Sequence, residues 1–295
     1  MSADAVLYDH PGPRARRRNA VLTGVFALAL LALLYWNYAA FDAKNQWAGP
    51  LWAPFTDSGT WTDFILPGLW ATMSAAAVAM ILSLLFGIVF AVGRLSDHWW
   101  LSVPAGVVVE FFRAVPLLLL MFFIFYGVPF LTFQPMSVFW AVVIGLTLYN
   151  GSVLAEAFRA GIRSVPSGQS EAAYAVGMRK SQVMQHILVP QAARAMLPVI
   201  VSQLVVLVKD TALGYIIGYT ELLQSGVANL SANYGNAVAA AIVVGIIYIL
   251  LNASLTAFAG WLERRTRRAG KAPKAPGAGG VVGPAGQQMG VGGTM

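Results

Sequence analysis

Residues 64–93 read FILPGLWATMSAAAVAMILSLLFGIVFAVG, a run of 30 residues without one charged side chain. A helix needs about 20 mostly apolar residues to cross a hydrocarbon core of about 30 Å. A lipid-exposed strand cannot satisfy its own backbone groups, so a run of this kind crosses a membrane as a helix. The run therefore predicts a membrane-spanning helix that is long enough to tilt or to extend beyond the lipid.

Five further stretches have the same apolar character, and they lie at residues 20–40, 104–127, 137–159, 195–218 and 237–262. The whole chain of 295 residues is 58% apolar and only 11% charged, whereas a soluble domain averages about 25% charged residues. A soluble enzyme and a disordered protein are therefore excluded. The absence of cysteine excludes disulfides and thiolate chemistry, and three scattered histidines predict no metal site. The fold class predicted is an all-α membrane protein with six transmembrane helices.

The placement of the cations predicts the orientation of these helices. With the N-terminus inside, the inner segments carry 15 of the 19 Lys and Arg residues, and the outer segments carry only Lys44. Cytoplasmic loops are enriched in Lys and Arg, so both termini are expected in the cytoplasm of a bacterial cell. The net charge of +7 is therefore explained by membrane topology and lipid contact, and no nucleic-acid partner is expected. The expected order is a basic N-terminus (1–19), an anchor helix (20–40) retained in the mature protein, an extracytoplasmic loop (41–63), a transmembrane domain (64–262) and a basic, then disordered, cytoplasmic tail (263–295).

One inner segment is long enough to have its own structure. Residues 160–194 read AGIRSVPSGQSEAAYAVGMRKSQVMQHILVPQAAR. Gln169 or Ser170 would cap a short helix with Glu171 near its N-terminal end. Gly177 can adopt a positive φ and end that helix, and Pro190 would stop or kink a second one. Two short helices predict a docking surface for another protein, and the alternative is an amphipathic connector on the lipid surface.

The same loop resembles the EAA loop of ABC-importer permeases, which has the pattern E-A-A-x3-G-x9-I-x-L-P. Val189 stands where that pattern has leucine. The matching positions, which the resemblance assigns to coupling with an ATPase, are Glu171, Ala172, Ala173, Gly177, Ile187 and Pro190.

Other segments are similar to the polar amino-acid permeases of that family (histidine, glutamine and glutamate), namely residues 68–76, 110–123, 149–169 and 208–223. Residues 6–19 and 58–70 look similar to actinobacterial glutamate permeases. The resemblance covers roughly residues 6–262, and Ala212 stands where many members have serine.

The resemblance implies a type I importer permease with five core helices and one extra N-terminal helix. It implies a second permease subunit, identical or homologous, a dimer of ABC ATPases and an extracytoplasmic amino-acid-binding protein. The chain has no G-x-x-x-x-G-K-[ST] motif to hold ATP phosphates, so no cofactor is expected here and the ATP is expected in the partner. The solute implied is a polar amino acid, with glutamate favoured and glutamine, aspartate and basic amino acids left open.

Ionisable residues within the spans are the candidates for the solute path, because charges in lipid are costly. Glu110 and Arg113 stand three residues apart, as do Glu156 and Arg159, so each pair can neutralise itself. Adjacent Lys209 and Asp210 diverge by about 100° on a helix, and each needs another partner or a water-filled cavity.

Lys209 or Arg113 would favour the carboxylates of an acidic solute. Asn150 and Thr211 complete the candidates for the solute path. The alternative function is an amino-acid transporter or channel driven by an ion gradient, with Lys209, Asp210 and Glu156 as a relay. No nucleophile–base pair or metal set supports a membrane enzyme.

Overall fold

The computed structural model describes residues 12–269, and this part of the chain is helical without a strand. We number the helices in chain order: α1 (Pro13–Asp42), α2 (Ser58–Arg94), α3 (Trp99–Ala114), α4 (Leu117–Thr132), α5 (Val138–Arg163), α6 (Ser167–Ala175), α7 (Lys180–Ile217), α8 (222–234) and α9 (Ala237–Ala269). Five of them (α1, α2, α5, α7 and α9) are long and apolar enough to cross a membrane, and the bent pair α3–α4 supplies the sixth crossing. The prediction of six transmembrane helices is confirmed in this form.

The third predicted span, residues 104–127, is wrong as a straight helix. Val115 is extended (φ −79°, ψ 127°) because the residue before a proline disfavours the α conformation, and Pro116 follows it. The axes of α3 and α4 consequently meet at 101°. The pair α3–α4 therefore has the form of a broken span or a re-entrant loop.

Helix α1 stands apart from the bundle, because it has no buried residue among those described. It begins at Pro13 and includes the arginines assigned to the N-terminal segment 1–19. The start of the transmembrane stretch at residue 20 stays a prediction. Trp47 folds back on the end of α1, where its ring stacks on Tyr38 at 5.5 Å and its Nε1 donates to the Tyr38 carbonyl at 3.1 Å.

The bundle core forms where α2 packs along α5. Ala75, Ala76 and Ala79 of α2 are fully buried together with Val142 and Leu146 of α5. Small residues let helix backbones approach closely, and in lipid this replaces the hydrophobic driving force between helices.

The tail was expected to begin at residue 263, but α9 continues as a helix to Ala269. The first basic residues of that tail are therefore helical. The rest of the predicted disordered tail, residues 270–295, and residues 1–11 lie outside the described part of the chain.

Candidate functional site

The EAA-like loop is held at one end of the bundle, next to the last turns of α2 and α5. We call this end the loop face and define it by residues 164–179 together with Arg94 and Arg163. Helix α6 begins at Ser167, directly after Pro166, and has no side-chain cap. The expected cap at residues 169–170 is therefore wrong, and Glu171 lies beyond the first turn. Pro166 explains why α6 starts earlier than predicted, because this proline already ends the preceding segment of the chain.

Gly177 ends α6 as predicted, with φ at +84°. Open space surrounds its Cα position, so the backbone conformation, and not packing, calls for glycine here. Its amide donates to the Tyr174 carbonyl at 2.9 Å, and the Met178 amide donates to the Ala173 carbonyl at 3.1 Å. These two bonds close the end of the helix and turn the chain towards α7.

Pro190 does not stop the second loop helix, so that half of the prediction is wrong, and the kink stays a prediction. It lies in the first turn of the α-helical stretch Val189–Asp210, where a missing amide hydrogen costs little. A π-helical turn, Met184–Leu188, precedes it. Consequently α7 runs from Lys180 on the loop face through the bundle to Ile217 without a bend that would divide it.

The residues of the EAA-like motif present a surface rather than a core. Glu171, Ala172 and Gly177 are exposed, and so are the apolar side chains of Tyr174 and Val176. Ala173 is buried and anchors α6. A surface of small residues with two apolar side chains suits close contact with another protein.

Lys180 joins this loop to the corner between α2 and α3. Its Nζ pairs with the carboxylate of Asp97 and donates to the Leu95 carbonyl at 3.1 Å. The residues lie more than 80 positions apart in sequence, so no local pattern indicates the contact. The contact joins the start of α7 to the end of α2 and to the turn before α3.

The two predicted ion pairs both form, but they belong to one larger network on the loop face. Arg94 lies 3.1 Å from Glu110 and 2.8 Å from Glu156. Arg113 lies 3.4 Å from Glu110, and Arg159 pairs with Glu156. Sequence reasoning counted Arg94 only as a topology signal, yet it is the residue that links α2, α3 and α5.

Glu110 and Arg113 were expected within the straight span 104–127, whereas they lie near the end of α3, before the bend at Val115. Their position beside Arg94, the last residue of α2, fixes them at the loop face.

Lys209 and Asp210 are the last two residues of the α-helical part of α7, and a 3-10 turn follows them. The Lys209 side chain is exposed and that of Asp210 is half-buried. Among the side chains that the structure describes, neither has an ion pair of 4 Å or less, to each other or to a third residue. Lining the solute path stays a prediction for both.

Asn150 is fully buried and joins α5 to α7. Its Oδ1 accepts a hydrogen bond from Gln203 Nε2 at 3.4 Å, and its Nδ2 donates to the Leu146 carbonyl at 3.1 Å. Gln203 was missed, although an amide within an apolar run is a visible signal. The pair gives Asn150 a structural role, and contact with solute stays a prediction.

A second residue that sequence reasoning missed is Glu221, whose side chain is fully buried. Its carboxylate accepts from the amides of Leu223 at 2.8 Å and Gln224 at 2.9 Å, and from the Tyr248 hydroxyl at 2.7 Å. Burial raises the pKa of the Glu221 carboxyl, and the three donors oppose that rise.

The surroundings of Glu221 draw four parts of the chain together. Thr72 of α2 accepts from the Leu222 amide at 3.1 Å, and Tyr219 donates its hydroxyl to the Ala71 carbonyl at 2.8 Å. Thr211, a predicted path residue, is fully buried and donates to the Val208 carbonyl. We call Thr72, Thr211, Glu221 and Tyr248 the Glu221 cluster. Its hydrogen-bond donors are satisfied within the protein, so the cluster holds α2, α7 and α9 together.

Six membrane crossings, a folded loop with an exposed small-residue surface, and polar clusters between the helices define an integral membrane transport subunit. The chain belongs to the family described as "Binding-protein-dependent transport system inner membrane component", which matches residues 83–268.

Among similar proteins is the glutamate transport system permease protein GluD of Corynebacterium glutamicum, 49% identical over 73% of this chain and 80% of the relative. The arginine transport system permease protein ArtQ of Bacillus subtilis is 32% identical over 69% of this chain and 93% of the relative. A crystal structure of an amino acid ABC transporter with histidines matches with a TM-score of 0.66 and 26% identity, over 70% of this chain and 95% of the other. The chain is thus a permease subunit of the amino-acid ABC-importer class.

Proposed function

We propose that this permease imports glutamate and is driven by ATP hydrolysis in a partner ATPase dimer that docks on the loop face. The observation that carries the proposal is the loop itself. Glu171 and Ala172 stand exposed on the short helix α6, and Gly177 stands exposed just beyond its end. This loop is covalently continuous with two membrane-crossing helices, α5 and α7. Force applied to this surface has a direct mechanical route into the bundle.

The route has two branches. One passes along α7, which extends from the loop to Lys209 and Asp210. The other passes through Lys180 to Asp97 and the α2–α3 corner. Closure of two ATPases against two such permeases would move these helices together and alternate access between the two sides of the membrane. Our proposal places this chain beside a second permease, identical or homologous, and an extracytoplasmic binding protein that delivers the amino acid.

Our proposal also places both termini, and therefore the loop face, in the cytoplasm of a bacterial cell. The 15 cations on that side against Lys44 on the other support this orientation through the positive-inside rule. A docking surface for a cytoplasmic ATPase requires the same orientation, so two independent arguments agree.

Glutamate as the solute is supported by the similarity to the corynebacterial glutamate permease. It is also supported by an exposed cation, Lys209, at the end of the α-helical part of α7. An ammonium group on the path favours a solute with two carboxylates. ATP is bound by the partner in this proposal, and no cofactor is assigned to this chain.

Uptake by reconstituted proteoliposomes tests the proposal. Permease, partner ATPase and binding protein are reconstituted together, and radiolabelled glutamate uptake is measured with ATP, with ADP, and with a proton or sodium gradient alone. We expect uptake only with ATP and binding protein, and competition by unlabelled glutamate above other amino acids. Uptake by the permease alone on an ion gradient would replace the proposal with the secondary-transporter alternative.

A further inference from the structure

Helix α3 packs against the bundle beside the loop face and leaves one apolar side exposed. Its exposed side includes Val103, Val107 and Phe111 at intervals of four residues, and it begins with exposed Trp99 and Trp100. Ala105 and Val109 on the opposite side are buried against the bundle. An apolar stripe with tryptophans at one end is the pattern of a helix seated at the lipid–water interface.

A cavity of about 700 Å3 opens between this helix and the last turns of α2 and α5. Its lining combines two kinds of surface. Arg94, Arg159 and Arg163 contribute three guanidinium groups, and Val103, Val107 and Phe111 form an apolar wall. The apolar wall is the same stripe that α3 leaves exposed, so the cavity opens onto an apolar outer surface of the bundle.

The cavity carries an excess of positive charge. Its three arginines face a single lining carboxylate, Glu110. Two charged residues adjoin the cavity, Arg113, which pairs with Glu110, and Glu156, which pairs with Arg94 and Arg159. Arg94 and Arg159 are held in place by ion pairs with Glu156. Arg163 is exposed and has no ion pair within the described part of the chain. A net charge of +2 next to an apolar wall suits a ligand with an anionic group and a hydrocarbon part.

We propose that this cavity binds an anionic phospholipid of the leaflet that meets the loop face. The phosphodiester would be held by Arg163 and Arg159, and an acyl chain would lie along Val103, Val107 and Phe111. Basic pockets between transmembrane helices are suited to such headgroups, and planar guanidinium groups bind phosphate oxygens in pairs. The lipid would tie α3 to the end of α5, beside the loop through which the bundle is moved.

The test compares lipid binding by the full-length chain and two variants. Arg163→Gln removes the one cavity cation without an ion partner, and Val107→Asp puts a carboxylate on the apolar wall. Arg194→Gln is the matched control, because Arg194 is an exposed arginine of α7 that does not line the cavity. Each protein, purified in detergent, is titrated with phosphatidylglycerol or phosphatidylcholine, and bound lipid is counted by native mass spectrometry.

We expect the wild type to bind phosphatidylglycerol more tightly than phosphatidylcholine. Arg163→Gln should weaken phosphatidylglycerol binding by about fivefold, Val107→Asp by at least as much, and Arg194→Gln by less than about twofold. Should Val107→Asp fail to fold, Arg163→Gln against Arg194→Gln decides alone.

Two results would overturn the proposal. The first is equal affinity for the two lipids, or equal effects of the changes at Arg163 and Arg194. The second is displacement of phosphatidylglycerol by inorganic phosphate or by glutamate at millimolar concentration, because the cavity would then be a site for a free anion.

Discussion

The Tyr248 hydroxyl donates a 2.7 Å hydrogen bond to the carboxylate of Glu221, 27 residues away. The bond connects α9 to the segment that follows α7, and the Glu221 side chain is fully buried. All three groups that contact the carboxylate are donors. Removing one of the three donors lowers the stability of the protein, because water cannot reach the buried carboxylate to replace the lost hydrogen bond.

Tyr248→Phe is therefore expected to lower the free energy of unfolding by about 1–3 kcal/mol, and Glu221→Gln to lower it further, since an amide hydrogen would then face a donor. Thermal unfolding of the detergent-purified chain measures both. Tyr234→Phe is the control, because Tyr234 is exposed and no hydrogen bond of its hydroxyl is found among the described residues. Equal melting temperatures for the two phenylalanine variants would contradict a stabilising role for the bond between Tyr248 and Glu221.

The network on the loop face predicts unequal roles for its two glutamates. Glu156 bonds to both Arg94 and Arg159 and is only 24% exposed, whereas Glu110 is 57% exposed. We expect Glu156→Gln to destabilise the chain by about 1–2 kcal/mol and Glu110→Gln by less than about 1 kcal/mol, because solvent screens the exposed pair. Unfolding in denaturant compares them, and a larger effect at Glu110 would show that Arg94 depends on α3 more than on α5.

Gly68 is predicted to tolerate no side chain. A Cβ added there would lie 2.9 Å from the Leu222 Cα and 3.1 Å from the Glu221 carbonyl oxygen. Backbone cannot rotate away, so Gly68→Ala should cost about 1–3 kcal/mol of unfolding free energy. Gly245→Ala is the matched control on α9, where an added Cβ meets nothing within 4 Å, and it should be neutral or stabilising in the same thermal assay. Equal stability of the two variants would contradict the close contact between α2 and the 221–225 segment.

These tests concern features that differ in how far sequence could reveal them. Apolar length predicts the long helices, because a lipid core admits little else, and the positive φ at Gly177 follows from the type of residue at the end of a short helix. The bend between α3 and α4 was missed because a window of apolar residues measures composition and not direction. Pro116 was the available signal, and reading it as a helix break would have placed Glu110 and Arg113 at the loop face.

Contacts between residues far apart in the chain could not be predicted from the sequence, for a different reason. Glu221 meets Tyr248 and Lys180 meets Asp97 only after the bundle has packed, so no spacing rule links them. A single glutamate in an apolar segment does indicate a buried partner, and Glu221 could have been selected on that ground. Its three donors could not have been named.

Lys209 is the residue on which the choice of solute depends most directly. It is exposed and has no ion pair among the described side chains, as expected of a cation that faces a solute path. Lys209→Met keeps the length of the side chain and removes the charge. We expect glutamate uptake at low concentration to fall by about tenfold, the loss of one charge-assisted hydrogen bond, with the protein still in the membrane. Lys44→Met, at an exposed position beyond the end of α1, should leave uptake unchanged, and equal uptake by both variants would remove Lys209 from the path.

A substitution at Gly177 tests the docking surface itself. Its φ of +84° disfavours a side chain, while open space around it means that a side chain would point to solvent or to a partner. Gly177→Asp should leave the chain in the membrane, because no contact within it is disturbed, and should weaken copurification of the partner ATPase by tenfold or more, about 1.4 kcal/mol. Gly168→Asp adds the same charge to the same loop at a position that also has open space and lies in the first turn of α6, where an acidic residue is favourable. If the two variants retain the ATPase equally, the end of α6 is not the contact, and the force must enter the bundle elsewhere.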